Sequence, residues 1–268
     1  MKLSIIVPVH NEFQMTRWCL LSIMNRTTVS YELILVNDQS NEDITRQLKT
    51  LVGQVKCKYI ETKTRGWHSG ACNLGIDVAR GEYICLLNSD TIVSEYWARD
   101  MIKFLETDIG RNQCSAVGPS SSYCASHQQL PDYHQTRYTI KYHETQDVAD
   151  VVFKKYKDQV MATRITGFCM LFHRSRLQII GKLDEEMFPS ADNESDWFLR
   201  NLSKGLKPYW VRQVYVYHFG EISYLKALGQ DEKKERWSVA DQRLRAKYKD
   251  IGFNLIQNTY WKDQEVVY

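Results

Sequence analysis

The chain lacks several features that would have directed its reading elsewhere. No Gly-x-Gly-x-x-Gly follows the first apolar segment; Pro8-Val-His-Asn-Glu12 stands there instead, which excludes a dinucleotide-binding oxidoreductase. No glycine-rich phosphate loop lies near that segment either, so the usual device of a nucleotidyltransferase is missing. The seven cysteines (19, 57, 72, 85, 114, 124 and 169) are odd in number, scattered and never in Cys-x-x-Cys spacing, which indicates neither a disulfide framework nor a zinc site. His68 and Cys72 do stand four apart, as two ligands on one helix would, yet no second pair accompanies them. No stretch approaches the roughly 20 apolar residues of a membrane span, and the run after Met1-Lys-Leu-Ser is short and interrupted by Pro8, so a soluble cytoplasmic protein is expected. An excess of one charge is lacking too. Thirty-five basic residues against 32 acidic ones leave +3, too even a balance to imply attraction to nucleic acid or membrane by itself.

What is present is a chain of 268 residues, 43% apolar, long enough to bury a core in one large α/β domain or a domain with an appendage. Leu3-Ser-Ile-Ile-Val-Pro-Val reads as a strand covered on both faces. Apolar residues at helical spacing follow from Glu12 to about Asn25, then a second apolar strand from Tyr31 to Val36 closed by Asn37-Asp-Gln-Ser-Asn. Asn41 or Ser40 caps a helix through Leu51, Lys56 to Glu61 supplies a third strand, and Ser69 to Ala79 a third helix. The run Tyr83 to Leu87 is a fourth strand that stops at Asn88, Ser89 and Asp90. This β-α alternation predicts a right-handed, mostly parallel sheet flanked by helices. Polar residues at the carboxyl ends of its strands (Pro8 to Glu12, Asn37 to Ser40, Asn88 to Thr91) are then placed to meet a ligand. A carboxylate such as Asp90 is a natural ligand for a hard divalent cation that binds phosphate oxygens.

Ser4-Ile-Ile-Val-Pro-Val-His-Asn-Glu12, Leu33-Ile-Leu-Val-Asn-Asp-Gln-Ser40, Asn73-x-Gly75 with Ala79-x-Gly81, and Leu87-Asn-Ser-Asp-Thr91 resemble, in order and spacing, the successive motifs of inverting family 2 glycosyltransferases with the GT-A fold. The likeness continues through Thr166-Gly-Phe-Cys-Met-Leu-Phe-His-Arg174, Ile180-Gly-Lys-Leu-Asp-Glu185, Asn193-Glu-Ser-Asp-Trp-Phe-Leu-Arg200 and His218-Phe-Gly-Glu-Ile-Ser223, and is nearest the rhamnosyltransferase-like branch. It implies a GT-A domain over 1–223, with a nucleotide-binding half over 1–118 and an acceptor and catalytic half over 119–223, followed by a helical extension over 224–268.

The resemblance further implies a nucleotide-diphosphate sugar as donor and Mn²⁺ or Mg²⁺ as cofactor. Pro8, Val9 and Glu12 would border the base, and Asp38 would accept a hydrogen bond from its imide. Arg65 would face the base or the diphosphate, unless it is a solvated surface arginine. Asn73 and Gly75 fit turn and packing roles. Asn88 would contact the ribose, and Asp90 would hold the metal, in a motif with a single carboxylate. His218 stands where related sequences offer a further ligand, although an imidazole in Tyr-Val-Tyr-His-Phe also suits a structural role. Glu194 aligns with the base that deprotonates the acceptor, one methylene longer than the usual aspartate; Asp192 or Asp196 could substitute, and all three could equally complement the dipole of a helix through Leu202. Attack opposite the leaving group would invert the anomeric centre.

Residues 119–160, with Tyr133-His-Gln-Thr-Arg-Tyr138 and Lys154-Lys-Tyr-Lys157, are expected to form a loop or short ribbon over the site and to choose the acceptor. A glycan is the expected acceptor. A hydroxylated base in nucleic acid is the alternative, since tyrosines among lysines suit stacked bases as well as sugars, and a non-catalytic nucleotide-sugar or glycan-binding module is the alternative of another class. Trp237, Ala240, Leu244 and Tyr248 form a helical seam in the tail, which packs on the core or on a second subunit as a homodimer contact.

Overall fold

Strands with continuous apolar runs occupy the middle of a sheet, where helices cover both faces. The computed structural model describes residues 2–124, 126–130, 142–162, 165–220 and 222–249. In its first half, β1 (Leu3–Val9), β2 (Tyr31–Asn37), β3 (Lys58–Glu61) and β4 (Tyr83–Leu87) lie parallel in the order β3-β2-β1-β4. The two-residue period of β1 divides its side chains: Leu3, Ile5 and Val7 pack with Cys19, Leu20 and Ile23 of α1 (Phe13–Arg26), whereas Ile6 packs with Ala71, Cys72 and Ile76 of α3 (Trp67–Val78). α2 (Glu42–Gln54) begins at Asn41, whose side chain accepts from the Ile44 amide at 2.9 Å. Gly75 lets α3 sit directly on the sheet, because a Cβ there would fall 2.3 Å from Ile6 Cγ2. Asn73 pins the same helix to a distant loop, donating to the Leu183 carbonyl at 2.9 Å and accepting from its amide at 3.1 Å.

The second half differs from the mostly parallel sheet expected. β8 (Cys169–His173) runs antiparallel to β4 and to β6 (Cys114–Ser120), and β6 runs parallel to the long β9 (Lys207–His218). β5 (Thr91–Val93) and β7 (Val160–Ala162) pair antiparallel with β9, so the sheet of nine strands among the described residues is mixed, in the order β3-β2-β1-β4-β8-β6-β9-β5 with β7 beside β9. α4 (Trp97–Leu105) and α5 (Asp108–Gln113) precede β6. Within 119–160, where a loop or short ribbon was expected, α6 (Glu144–Lys155) forms and buries Thr145, Ala149 and Val152. Tyr133 to Tyr138 lie outside the described residues. Among the described residues no helix is long and apolar enough to cross a membrane.

α7 (Ser175–Ile180), α8 (Asn193–Leu202) and α9 (Ile222–Lys247) complete the fold, and α9 is kinked at Gly229, whose φ is +73°. The apolar seam of the tail is used within the chain: Ala240, Leu244 and Tyr248 are buried against Phe188 and Leu199, so these side chains are not available to a second subunit. A polar staple reinforces the seam. Asp196, 0% exposed, lies 2.9 Å from Arg200 Nε and 2.7 Å from Lys247 Nζ, and accepts from the Tyr248 hydroxyl at 2.8 Å. Burial works against the Lys247 ammonium, but its hydrogen bonds to Asp184 and Asp196 outweigh that and hold its pKa above the ordinary value.

Three donors converge on one buried carboxylate, so Asp196→Ala should cost about 2–4 kcal/mol of stability in urea unfolding. Asp184→Ala, which loses a Lys247 contact between side chains each 26% exposed, should cost under about 1 kcal/mol. Equal midpoints for the two variants would contradict the staple.

Candidate active site

β1 and β4 are neighbours, and the chain passes from β1 outward to β2 on the opposite side, so a crevice opens between their carboxyl ends. Pro8 and Val9 line it from β1, and Asn88, Ser89 and Asp90 from the turn after β4. That turn is closed by Thr91 Oγ1, which donates to the Asn88 carbonyl at 2.8 Å. β8 starts opposite the end of β4, which places Thr166, Gly167 and Phe168 on the facing wall. α3 and α8 both present their N-termini to the same cavity, of about 310 Å³, through Trp67 and His68 and through Asp192, Asn193 and Glu194. Two helix N-termini directed at one crevice favour an anion between them.

Register brings in the residue most distant in sequence. Thr91 of β5 pairs with His218 at the end of β9, which sets Asp90 beside the imidazole. His218 Nδ1–H donates to the Tyr123 carbonyl at 2.9 Å, and a carbonyl can only accept, so Nδ1 carries a hydrogen and Nε2 is the ring nitrogen turned toward Asp90. That nitrogen is buried without a hydrogen-bond partner, 3.4 Å from Asp90 Oδ1. Among the described residues no lysine or arginine pairs with Asp90, which is 5% exposed. Two electron-rich atoms facing each other out of water repel unless a proton or a cation joins them. The ring is held in place by Phe168, stacked at 4.8 Å between centroids, while Tyr123 lies against Gly220, where φ is +71° and a Cβ would fall 2.0 Å from the tyrosine ring.

At the opposite end, Asp38 Oδ1 accepts from the Thr62 hydroxyl at 2.8 Å and from the Gly66 amide at 2.7 Å, and Oδ2 forms an ion pair with Arg65 Nε at 2.9 Å. Asp38 thus shapes the loop that leads into α3 and fixes Arg65 at the cavity. His10 completes this corner: Nδ1–H donates to the Asp38 carbonyl at 2.8 Å, and Nε2 accepts from Arg65 and from Asn11 Nδ2, the latter at 2.9 Å. Burial, assisted by the charge of Arg65, lowers the His10 pKa below 6.5 against the opposing Asp38 contacts. His68 is likewise lowered by burial, against a hydrogen bond with Asn88 and the field of Asp90. Its Nδ1 accepts from Asn193 Nδ2 at 2.9 Å, and that amide also donates to Ser69 Oγ at 2.9 Å, so Asn193 ties the start of α8 to the start of α3.

Glu194 lines the cavity over Gly167, where a Cβ would lie 3.4 Å from its carboxyl carbon, and among the described residues no hydrogen bond or ion pair engages its carboxylate. Asp192 lines the cavity in a left-handed conformation, φ +55°. Asn11, Gln39 and Trp67 share that conformation, at φ +55°, +57° and +55°, so four strained non-glycine residues surround one crevice.

The structure therefore gathers Pro8, Val9, Asp38, Arg65, Asn88, Asp90, Asp192, Glu194 and His218 into one place. Two expected residues are not among them. Asp196 is the buried anchor of Arg200, Lys247 and Tyr248, one face of α8 away from Glu194, which corrects its reading as a substitute base. Glu12, at the N-terminal boundary of α1, is buried outside the cavity lining, and its carbonyl accepts from the Thr16 hydroxyl. Of 119–160, Tyr123 and Cys124 line the cavity among the described residues, whereas Lys154 to Lys157 do not. His10, Trp67, His68 and Asn193 were missed, although each lies within or beside a quoted motif. Trp237 was read only as part of a seam, yet it also reaches this cavity from α9.

Comparison with known proteins agrees with this architecture. Residues 4–175, well over half of the chain, match the model of Glycosyl transferase family 2. An uncharacterized glycosyltransferase of Rickettsia bellii is 34% identical over 105 residues, covering 39% of this chain and 15% of the relative. The poly(ribitol-phosphate) beta-N-acetylglucosaminyltransferase TarP of Staphylococcus aureus is 30% identical over 107 residues, covering 38% and 32%. The matches to the Rickettsia relatives span under a fifth of those proteins' length. Among solved structures, TarS of S. aureus superposes with a TM-score of 0.59 at 13% identity over 96% of this chain and 45% of that one. The mannosyltransferase PcManGT of Pyrobaculum calidifontis, in complex with GDP-Man and Mn²⁺, gives 0.59 at 14% identity over 94% and 76%. At such identities the likeness speaks for the fold, GT-A, and the sequence match supplies the rest: this chain belongs to glycosyl transferase family 2.

Proposed function

We propose that this chain is an inverting, metal-assisted transferase that moves a sugar from a nucleotide-diphosphate donor to an acceptor hydroxyl, on a glycan in the first instance. The observation that carries the proposal is the buried Asp90 carboxylate facing the unpartnered His218 Nε2 at 3.4 Å. The pair is a fit for a divalent cation, and the imidazole favours Mn²⁺ over Mg²⁺. Among the described residues no third His, Cys, Asp or Glu joins them, which suits a site that the donor's own phosphate oxygens complete. When bound, the metal supplies Lewis-acid stabilisation of the departing diphosphate. A solved neighbour carries GDP-Man with Mn²⁺ and another carries UDP, which supports the donor class.

The remaining roles follow from position. Asp38, with Arg65 and the walls of Pro8 and Val9, serves the base end; the two helix N-termini serve the diphosphate; Asn88, in the turn after β4, serves the ribose. Glu194, whose carboxylate has no hydrogen bond or ion pair among the described residues, takes the proton of the acceptor hydroxyl. The new bond from acceptor oxygen to the anomeric carbon forms as the bond from that carbon to the diphosphate oxygen breaks, and attack from the side opposite the leaving group inverts the centre. Asp192, at the N-cap of the same helix, is a second carboxylate lining the cavity.

Glu194→Gln should lower turnover by about 10²–10⁴-fold while leaving donor binding within about twofold. Retained turnover would favour another base, whereas a wild type that binds donor without turnover would favour a non-catalytic module. Asp90→Asn and His218→Gln should each weaken the thermal stabilisation given by Mn²⁺ plus donor, across a panel of nucleotide sugars that includes a rhamnose donor, in line with the rhamnosyltransferase-like motifs; an undiminished shift would remove the metal assignment. His10 and His68 have folded pKa values below the unfolded value of 6.5, so the unfolded chain binds more protons as pH falls through that value. Their stability contribution is complete above pH 6.5 and declines below it until their lowered pKa values are passed. A His10→Gln, His68→Gln double variant should flatten that decline in thermal melts between pH 7.5 and 5.5.

A further inference from the structure

A second cavity, of about 420 Å³, adjoins the first, and Ser190 and Ala191 line both. Its size falls within the roughly 300–1,000 Å³ of pockets that hold small ligands. One wall is the segment from Met187 to Ala191, which leads into Asp192 and Glu194; the other is α9, through Glu232, Glu235, Arg236, Val239 and Arg243, with Ala240 at the border of its buried seam. The neighbouring stripe is the buried seam of Ala240, Leu244 and Tyr248, so the helix is fixed in rotation and must present these residues to the groove. Trp237 tops the seam and projects into the first cavity, 43% exposed.

Three of the eight large apolar side chains left exposed among the described residues, Met187, Trp237 and Val239, gather along this path. Polar groups of both signs alternate with them. Glu232 and Arg236 pair at 2.8 Å, and Arg243 Nη1 donates to the Met187 carbonyl at 2.9 Å. Arg236 also stacks 3.9 Å from the centroid of Trp67, whose ring Arg65 approaches at 4.3 Å; two guanidiniums so near one centroid fit only on opposite faces. The groove is thereby tied to the start of α3 and keeps its shape. An exposed indole beside paired donors and acceptors matches a pyranose, which offers an apolar face of C–H groups and hydroxyls that both donate and accept. Two glutamates against two arginines give no net positive charge, which a phosphate backbone would require.

The donor end of the first cavity is taken by Asp38, Arg65 and Asp90, so the acceptor must enter from the side of Glu194, and the second cavity opens there. We propose that this groove is the acceptor subsite, that Trp237 is the platform for the sugar receiving the bond, and that the acceptor is an oligosaccharide of at least two units whose inner units lie along α9. This rests on the transferase reading above and moves acceptor choice from residues 119–160 to the C-terminal helix, outside the segment matched by the family model.

The test uses p-nitrophenyl mono-, di-, tri- and tetrasaccharides of glucose, galactose and N-acetylglucosamine, with the full chain, Mn²⁺ and the donor found by the panel. Donor hydrolysis by water is followed in parallel. The wild type should use the best tri- or tetrasaccharide at least about tenfold better in kcat/KM than its monosaccharide. Val239→Arg, which fills the groove away from the reacting atoms, should erase that length preference, and Trp237→Ala should raise acceptor KM about tenfold, with Trp237→Phe restoring most of it. Donor KM in hydrolysis should remain within about twofold in all three. The proposal is overturned if monosaccharides serve as well as longer chains, if Val239→Arg keeps the preference, if Trp237→Ala raises donor KM instead, or if the wild type hydrolyses donor but glycosylates no saccharide. Absence of donor hydrolysis in the wild type would instead bring down the transferase reading itself, and the subsite with it.

Discussion

A buried carboxylate without a cationic partner is the constraint around which this protein is arranged. Asp90 lies buried in the turn after an apolar strand in the middle of the sheet, and His218 Nε2 stands 3.4 Å from its carboxylate. The fold maintains this pairing deliberately: β5 fixes the register with β9, the Tyr123 carbonyl engages Nδ1–H, and Phe168 fixes the plane of the ring. The strained backbone at Asn11, Gln39, Trp67 and Asp192 belongs to the same economy of a prearranged crevice.

The helix that bears Glu194 is held from both sides. Asn193 secures its first turn to α3, while Asp196, two residues beyond Glu194, secures it to Lys247 and Tyr248 of α9. The backbone that carries Glu194 is thereby fixed on both sides. The C-terminal helix is thus part of the domain's working structure. It buries one stripe, lends a second stripe to a groove, and places a tryptophan at the junction.

Much of the nucleotide half was legible in the sequence, for a physical reason. A parallel strand covered on both faces must be apolar throughout, so β1, β2 and β4 announce themselves as runs that stop where the polar crevice begins; Tyr83 to Leu87 is such a run to the residue. The second half hid itself. α6 buries only a thin face of Thr145, Ala149 and Val152 while exposing Val151 and Phe153, so its periodicity is weak and its lysine-rich end resembles a loop. Antiparallel insertion of β8 between β4 and β6 leaves no mark in local composition.

The sequence by itself determined the α/β class, the family, and the crevice residues carried on strand ends, because these depend on local hydrophobic pattern and short spacing. Only the tertiary structure decided among the carboxylates. Glu12, Asp192, Glu194 and Asp196 are chemically alike along the chain; what separates them is burial and partners drawn from afar, as when Lys247 and Tyr248 claim Asp196 and leave Glu194 open to the cavity. The second role of Trp237 was equally illegible, since a residue at helical spacing reveals which stripe it shares but not what the end of that stripe overlooks.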